Sequence, residues 1–190
     1  MLKDINCSID NASILGIHCR DRNMCENLLY TLGGLRDFDG SICIDGIDLK
    51  SNINEYKMNI DIIQNEIHES SLKAEDYIVF YGMVRGVYNN EFYKRMEKIF
   101  KQLNLEHVRK KPMNQLPVGE QKLIRSIAAN IKQSKLIIYD NVFCGMDNNS
   151  QEKIRDLINR YIKSNYFICI LITEEMDGLR DFVDSIYIIQ

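Results

Sequence analysis

Short apolar runs alternate along this chain with stretches whose apolar residues fall at helical spacing. Ile14 to His18 (ILGIH) is a buried strand by pattern. Asn23 to Leu32 places Met24, Leu28, Leu29 and Leu32 at helical intervals, and Gly33-Gly34 stops it. DGSICIDGIDL reads as strand, turn and strand, with Gly40 and Gly46 at the turns. Ile60 to Gln64 (IDIIQ) is a further short strand. The texture then turns helical over 74–84, 91–103 and 119–131, with Pro112 and Pro117 in the connector between the last two. Strand texture returns at Lys135 to Asp140, followed by a helix over 149–162 with Ile154, Leu157, Ile158 and Tyr161 on one face. Phe167 to Thr173 (FICILIT) is almost wholly apolar, as in a strand covered on both faces. A short helix is expected near 175–182, and Ser185 to Ile189 closes the pattern as a strand.

Strands alternating with helices predict a mostly parallel α/β sheet, here with an antiparallel β part and an inserted helical subdomain. The expected division is an α/β core over 1–71 and 135–190, and a helical subdomain over 72–134. The chain has 190 residues, 45% of them hydrophobic, which suits one globular domain with a subdomain. Its net charge of −3 and scattered basic residues exclude an evident nucleic-acid face. The basic stretch from Lys94 to Lys101 reads as a solvated helix face. Six cysteines occur without a CxxC pair, and several lie in apolar runs, so neither a metal site nor a disulfide framework is expected. No apolar run approaches the roughly 18 residues of a membrane span, and the N-terminus lacks a signal-peptide pattern. A cytoplasmic location is expected, with any membrane contact made through a partner.

Several stretches carry chemistry in a fixed order: GIHCRDRNMCENLL, GGLRDFDGSICIDGIDL, IDIIQNE, LPVGEQK, LIIYDNVFCGMD and ILITEE. Together they resemble the ATP-binding cassette (ABC) ATPase domain over nearly the whole chain, with a P-loop NTPase-like core. LKDINCSI is similar to the family's strand before the phosphate loop. Gln64 falls at the Q-loop glutamine, although it also reads as a polar strand-end residue. LPVGEQK (Leu116 to Lys122) is similar to the signature LSGGEQ, with Pro117, Val118, Gly119, Glu120 and Gln121 at a partner-facing position. LIIYDNVFCGMD resembles the Walker B strand and D-loop, with Asp140 at the Mg²⁺-holding position and Asp147 in the D-loop.

The resemblance also marks departures. Aligned with GxxGxGKST, Cys19, Arg22 and Met24 take the glycine places, Cys25 the lysine, Glu26 the serine and Asn27 the threonine. Glycines there admit positive φ so that backbone N–H groups line a cup for phosphates. A side chain at Arg22 or Met24 would then cost about 1–2 kcal/mol in the left-handed region. Cys25 removes the phosphate-facing cation, and Glu26 adds a carboxylate near it. Arg20 and Arg22 read either as replacement phosphate cations or, more simply, as solvated loop residues. Asn141 stands at the catalytic glutamate and Glu174 at the switch histidine, so a general base is missing, a loss of typically 10²–10⁴-fold. Pro117 replaces a serine that donates to the partner's ATP, and it lacks an N–H. Gly119 and Glu120 suit either an anion at the helix start or plain helix entry. The family's adenine-stacking aromatic has no counterpart before Leu2.

The resemblance therefore implies a degenerate, non-hydrolysing subunit that pairs with another ABC ATPase or with itself, or docks on a membrane permease. ATP and Mg²⁺ are weakly expected. The alternatives are an active ATP-binding protein with an unorthodox loop, and a soluble homodimeric scaffold or immunity-type protein. Tyr77, Phe80, Tyr81, Met83 and Tyr88 read mainly as core, with a permease-facing groove as the other reading.

Overall fold

The computed structural model describes residues 5–65, 70–165, 167–176 and 178–189. The chain forms two compact units, Met1–Asn65 with Ser134–Val142 and Arg160–Gln190, and Glu66–Gln133 with Phe143–Asn159.

The first unit is a five-stranded, wholly parallel sheet. Its strands are β1 (Ile14–Cys19), β4 (Ile60–Ile63), β5 (Leu136–Asp140), β6 (Ile168–Thr173) and β7 (Ser185–Ile189), in the order β4-β5-β6-β1-β7. Register sets Ile17 beside Ile172 and Tyr187, and Ile138 beside Ile62 and Ile170. Every residue of β5 is buried, which is why LIIYD reads as an unbroken apolar run up to its terminal aspartate. Helix α1 (Arg22–Leu32) lays Cys25, Leu28 and Leu29 on the core formed with Leu15, Ile17, Ile138, Ile170 and Ile172. On the sheet's Gly16 side, Leu179 and Val183 would stand 3.3 Å from a Cβ, so glycine allows their close approach.

A two-stranded antiparallel sheet, β2 (Cys43–Ile44) with β3 (Ile47–Asp48), turns at Asp45-Gly46, both at positive φ. Helix α2 (Ile53–Asn59) follows and buries Tyr56, whose hydroxyl donates to the Leu32 carbonyl at 3.0 Å. Burial pushes that phenol up to about 12. Two expectations need correction. The described part of 175–182 forms turns, not a helix: Met176, Leu179 and Phe182 recur at helical spacing, but 3-residue turn bonds join them instead. Ile5 to Ile9, the described part of LKDINCSI, forms no strand; residues 2–4 lie outside the described residues.

The second unit is helical: α3 (Ala74–Val84), α4 (Asn90–Gln102) and α5 (Val118–Lys132), with the start of α6 (Asn148–Asn165). On α4, Phe92, Met96, Ile99 and Phe100 make one buried face, and Asn89 caps it by accepting from the Phe92 N–H at 2.9 Å. Gly82 on α3 is required by proximity, since a Cβ there would stand 2.5 Å from the Phe92 ring. The aromatic stretch of α3 is core only in part: Tyr77 and Tyr81 are half-buried, whereas Phe80 and Met83 are each 56% exposed, and Val84 and Tyr88 are exposed too.

Arg109 ties this unit together. Its Nε donates to Glu75 at 2.5 Å, one Nη reaches the Tyr93 hydroxyl at 3.1 Å and pairs with Glu97, and the guanidinium lies over the Phe100 ring. The Arg109 hydrogen bond holds the Glu97 carboxyl below the usual carboxylate range. Replacing Arg109 with Met is expected to cost about 1–3 kcal/mol by removing a charge-assisted network. A lowered carboxylate pKa gives stability that is present above the unfolded value and lost as pH falls through the folded value. The wild-type advantage over Arg109→Met, measured by urea melts, should therefore hold at neutral pH and shrink below about pH 4.

Candidate functional site

The carboxyl ends of β1, β4, β5 and β6 lie side by side, where parallel sheets gather ligand-binding residues. Each strand delivers one part of a polar cluster: β1 leads into Arg20 and Asp21, β4 into Gln64 and Asn65, β5 ends on Asp140 and Asn141, and β6 ends on Thr173 and Glu174.

The turn after β1 has only two residues before the helix begins at Arg22. Asp21 is the N-cap of α1, extended at φ −148°, and its carboxylate accepts the Met24 N–H at 3.0 Å. A side-chain carboxylate thus sits at the helix N-terminus, where the backbone favours an anion. Arg22 and Met24 lie inside the helix, and neither is at positive φ. The expected left-handed strain at those two positions is therefore corrected: an early, capped helix start removes the need for it.

Arg22 is also not a solvated loop residue. Its Nη1 donates to Asp140 Oδ1 at 2.6 Å and its Nη2 to Asp140 Oδ2 at 2.7 Å, while Nε donates to Glu26 Oε1 at 3.1 Å. Asp140 is 2% exposed, and its Oδ2 also accepts the Asn65 N–H at 3.2 Å. The Asp140 hydrogen bonds raise the Arg22 pKa beyond its already high value, so the guanidinium stays charged. Arg20, in contrast, has a side chain 73% exposed and reaches its neighbour Asp21 at 3.3 Å.

Cys25, expected from the sequence at the lysine place, is fully buried with Cys19. The two thiols are hydrogen-bonded, which pulls Cys19 below the usual thiol range and pushes Cys25 above it, with burial adding to the rise at Cys25. Position 25 therefore carries a neutral thiol near pH 7. Asn27 does not join the cluster; its Oδ1 accepts from Arg36, and it lines a separate cleft with Thr31 and Ile170. Gln64 is half-buried directly after β4.

Asn141 is buried in the left-handed region at φ 48°, a conformation asparagine tolerates better than most residues. Its Oδ1 accepts from the Thr173 hydroxyl at 2.6 Å, and its Nδ2 donates to Glu174 Oε1 at 3.3 Å. The amide so placed joins two strand ends and is no base near neutral pH. The sequence reading singled out Asn141 and Glu174 separately, each by resemblance alone. It missed Asp21, Asn65 and Thr173, of which only the capping aspartate before a helix carries a sequence signal.

In the helical unit, Pro117 precedes α5, which has no side-chain cap. Val118 is half-buried, and Gly119 is buried because a Cβ would meet Ser150 at 2.7 Å. Glu120 contacts His107 at 3.1 Å, and Gln121 donates to the Leu116 carbonyl at 2.9 Å. Lys122, also buried, donates to the Cys144 carbonyl at 2.6 Å. Asp147 accepts the Ser150 N–H at 2.9 Å and its hydroxyl at 2.8 Å, which holds its pKa below the usual carboxylate range. No group of three or more metal-ligating side chains occurs among the described residues.

A family model described as ABC transporter matches residues 26–143. The chain belongs to the ABC transporter family. Relatives within it include the energy-coupling factor transporter ATP-binding protein EcfA2 of Acetivibrio thermocellus, 22% identical, covering 98% of this chain and 68% of EcfA2. The putative hemin import ATP-binding protein HrtA of Staphylococcus epidermidis is 23% identical, covering 98% and 86%. Mouse ABCA4, a retinal-specific phospholipid-transporting ATPase, is 27% identical over 83% of this chain, which spans only 7% of that protein. The fold matches an ATP-binding subunit of an ABC transporter at a TM-score of 0.86 and 19% identity, covering all of this chain and 79% of the other. It also matches cbiO1 from Clostridium perfringens at 0.83 and 21%, covering all of this chain and 78% of cbiO1. The parallel sheet, small antiparallel sheet and helices are those of the P-loop NTPase ABC fold.

ABC relatives named as ATP-binding proteins imply ATP and Mg²⁺. The residues arranged here do not fit that pair. Both Asp140 oxygens are engaged by Arg22, the α1 N-terminus is engaged by Asp21, and position 25 supplies no cation. Asp21, Glu26 and Asp140 are paired with the two arginines, and Glu174 beside Asn141 adds a further carboxylate, an unfavourable field for a triphosphate. The cap is measurable by itself. Asp21→Ala should lower stability by about 0.5–2 kcal/mol in thermal or denaturant melts, while Asp21→Ser, which still caps, should lose much less.

Proposed function

We propose that this chain is a non-hydrolysing ABC-type subunit of a transport complex, pairing with a second ABC ATPase or with a membrane permease. The observation that carries the reading is Asp21. Its carboxylate caps the helix end where an ABC phosphate would sit, and no cation stands at position 25. Asn141 at the catalytic position supports it, since the amide cannot activate water and is held by Thr173 and Glu174. The alternative of an active enzyme using Arg22 on phosphate is disfavoured, because Arg22 is committed to Asp140 and Glu26.

Partnership is supported by the relatives: EcfA2 and HrtA are named for transport or import, and cbiO1 is described as part of the ABC transporter complex cbiONQ. No helix among the described residues is long and apolar enough to cross a membrane, so attachment through a permease is the proposed route to the membrane. The exposed Phe80, Met83, Val84 and Tyr88 give the helical unit an apolar face suited to such a partner.

A ligand that binds the folded state stabilises it by mass action, about 2.7 kcal/mol at a hundredfold excess over Kd. Millimolar ATP·Mg²⁺ should therefore leave the melting temperature of the purified chain unchanged and release no phosphate. A rise of several degrees overturns the reading. Detergent extraction of native membranes should bring the chain out with a multi-span permease or a second ABC ATPase. A pool found wholly outside the membrane fraction and without partners favours the homodimeric scaffold instead.

A further inference from the structure

We propose that Arg22 is a built-in counter-ion: its guanidinium stands on Asp140 where the ABC family holds a divalent cation, and it fixes the segment after β4 without any ligand. The inference rests on the reading of this site as one that takes no nucleotide. A carboxylate 2% exposed needs a charge partner, and Asp140 obtains one from within the chain. The fork is bidentate, at 2.6 and 2.7 Å, the geometry in which arginine matches a carboxylate and lysine does not. The third edge of the guanidinium is oriented by Glu26 at 3.1 Å, four residues along the same helix.

Asp140 then passes the constraint on. Its Oδ2, already bonded to Arg22, accepts the backbone N–H of Asn65 at 3.2 Å. Asn65 directly follows Gln64, the residue at the Q-loop position. Three chain segments, the start of α1, the end of β5 and the end of β4, therefore meet on one carboxylate. An arginine tethered by its own backbone cannot diffuse away, so this junction is held permanently, whereas one closed by a bound ion depends on the ion's concentration. Arg22 acts as a positioning residue for residues 64–65.

Amide hydrogen exchange on the full chain, without nucleotide, tests this. In the wild type the Asn65 amide should be protected and indifferent to millimolar Mn²⁺. Arg22→Ala should expose it at least about tenfold, as expected when a local bond is lost. Mn²⁺ should restore that protection, because Asp140 is left with an unmatched charge. Arg22→Lys, the milder variant if Arg22→Ala does not fold, keeps the charge but not the fork. It should lie between the two. Wild-type protection in either variant overturns the proposal, and so does protection in Arg22→Ala that Mn²⁺ fails to restore, or a wild type that itself gains protection with Mn²⁺. A parallel ATP·Mg²⁺ melt on the wild type separates the two readings. Stabilisation there sinks the nucleotide-free reading alone, and Arg22-independent protection in a nucleotide-blind protein sinks the counter-ion alone.

Discussion

A buried carboxylate at the end of a central parallel strand has to be met by positive charge, and the arrangement of this site follows from how Asp140 is met. β5 lies between β4 and β6 with every residue buried, so its terminal aspartate cannot turn to solvent. Removing one partner of a buried ion pair typically costs 3–5 kcal/mol, because the other charge is left uncompensated. Arg22 meets that need from the first turn of α1, and this requires the helix to begin early enough to aim it. The early start in turn requires a cap, which Asp21 provides. Charge, helix boundary and cap are one linked solution.

Much of the fold was legible in the sequence for a simple reason. Strands β1, β5 and β6 are the inner members of a parallel sheet covered on both faces, so they read as near-continuous apolar runs. Helix α4 was legible because its apolar residues make a single stripe. Helix α2 was not, since INEYKMN buries only Tyr56 and offers no periodicity to detect. The segment 175–182 misled in the opposite sense: its apolar residues recur at helical spacing, but Leu179 serves to fill the space beside Gly16. On α3, aromatic content suggested core, yet Phe80 and Met83 face outward; composition cannot tell which face of a helix a partner covers.

The strand ends that carry the candidate cluster were legible, and its geometry was not. Asp140, Asn141 and Glu174 were singled out because they lie at or just past the ends of apolar strands inside a recognisable motif. The Arg22–Asp140 fork joins residues 118 apart, and nothing local to either one announces the other. Reading the loop against a glycine-rich template also carried over the template's backbone. That produced the expectation of left-handed strain at Arg22 and Met24, whereas the only left-handed residue of the cluster is Asn141.

The residues proposed to depart from the family pattern support one another, which bears on whether the site is a damaged copy of a working one. A lysine at position 25 would enter a spot where both Cys19 and Cys25 are fully buried, adding a cation with no solvent to screen it. A glutamate at position 141 would take the left-handed conformation that asparagine tolerates, lose the bond it donates to Glu174, and set two carboxylates against each other. A glycine at position 22 would strip Asp140 of its counter-ion. Each single step back toward the family sequence therefore breaks a contact made here before it recovers the chemistry it belongs to. Residues coupled in this way do not change independently. In the reading proposed above, the cluster is an internally paired arrangement on the ABC fold, with the Asp21 carboxylate at the helix end and the Arg22 guanidinium on Asp140 in the places of phosphate and cation.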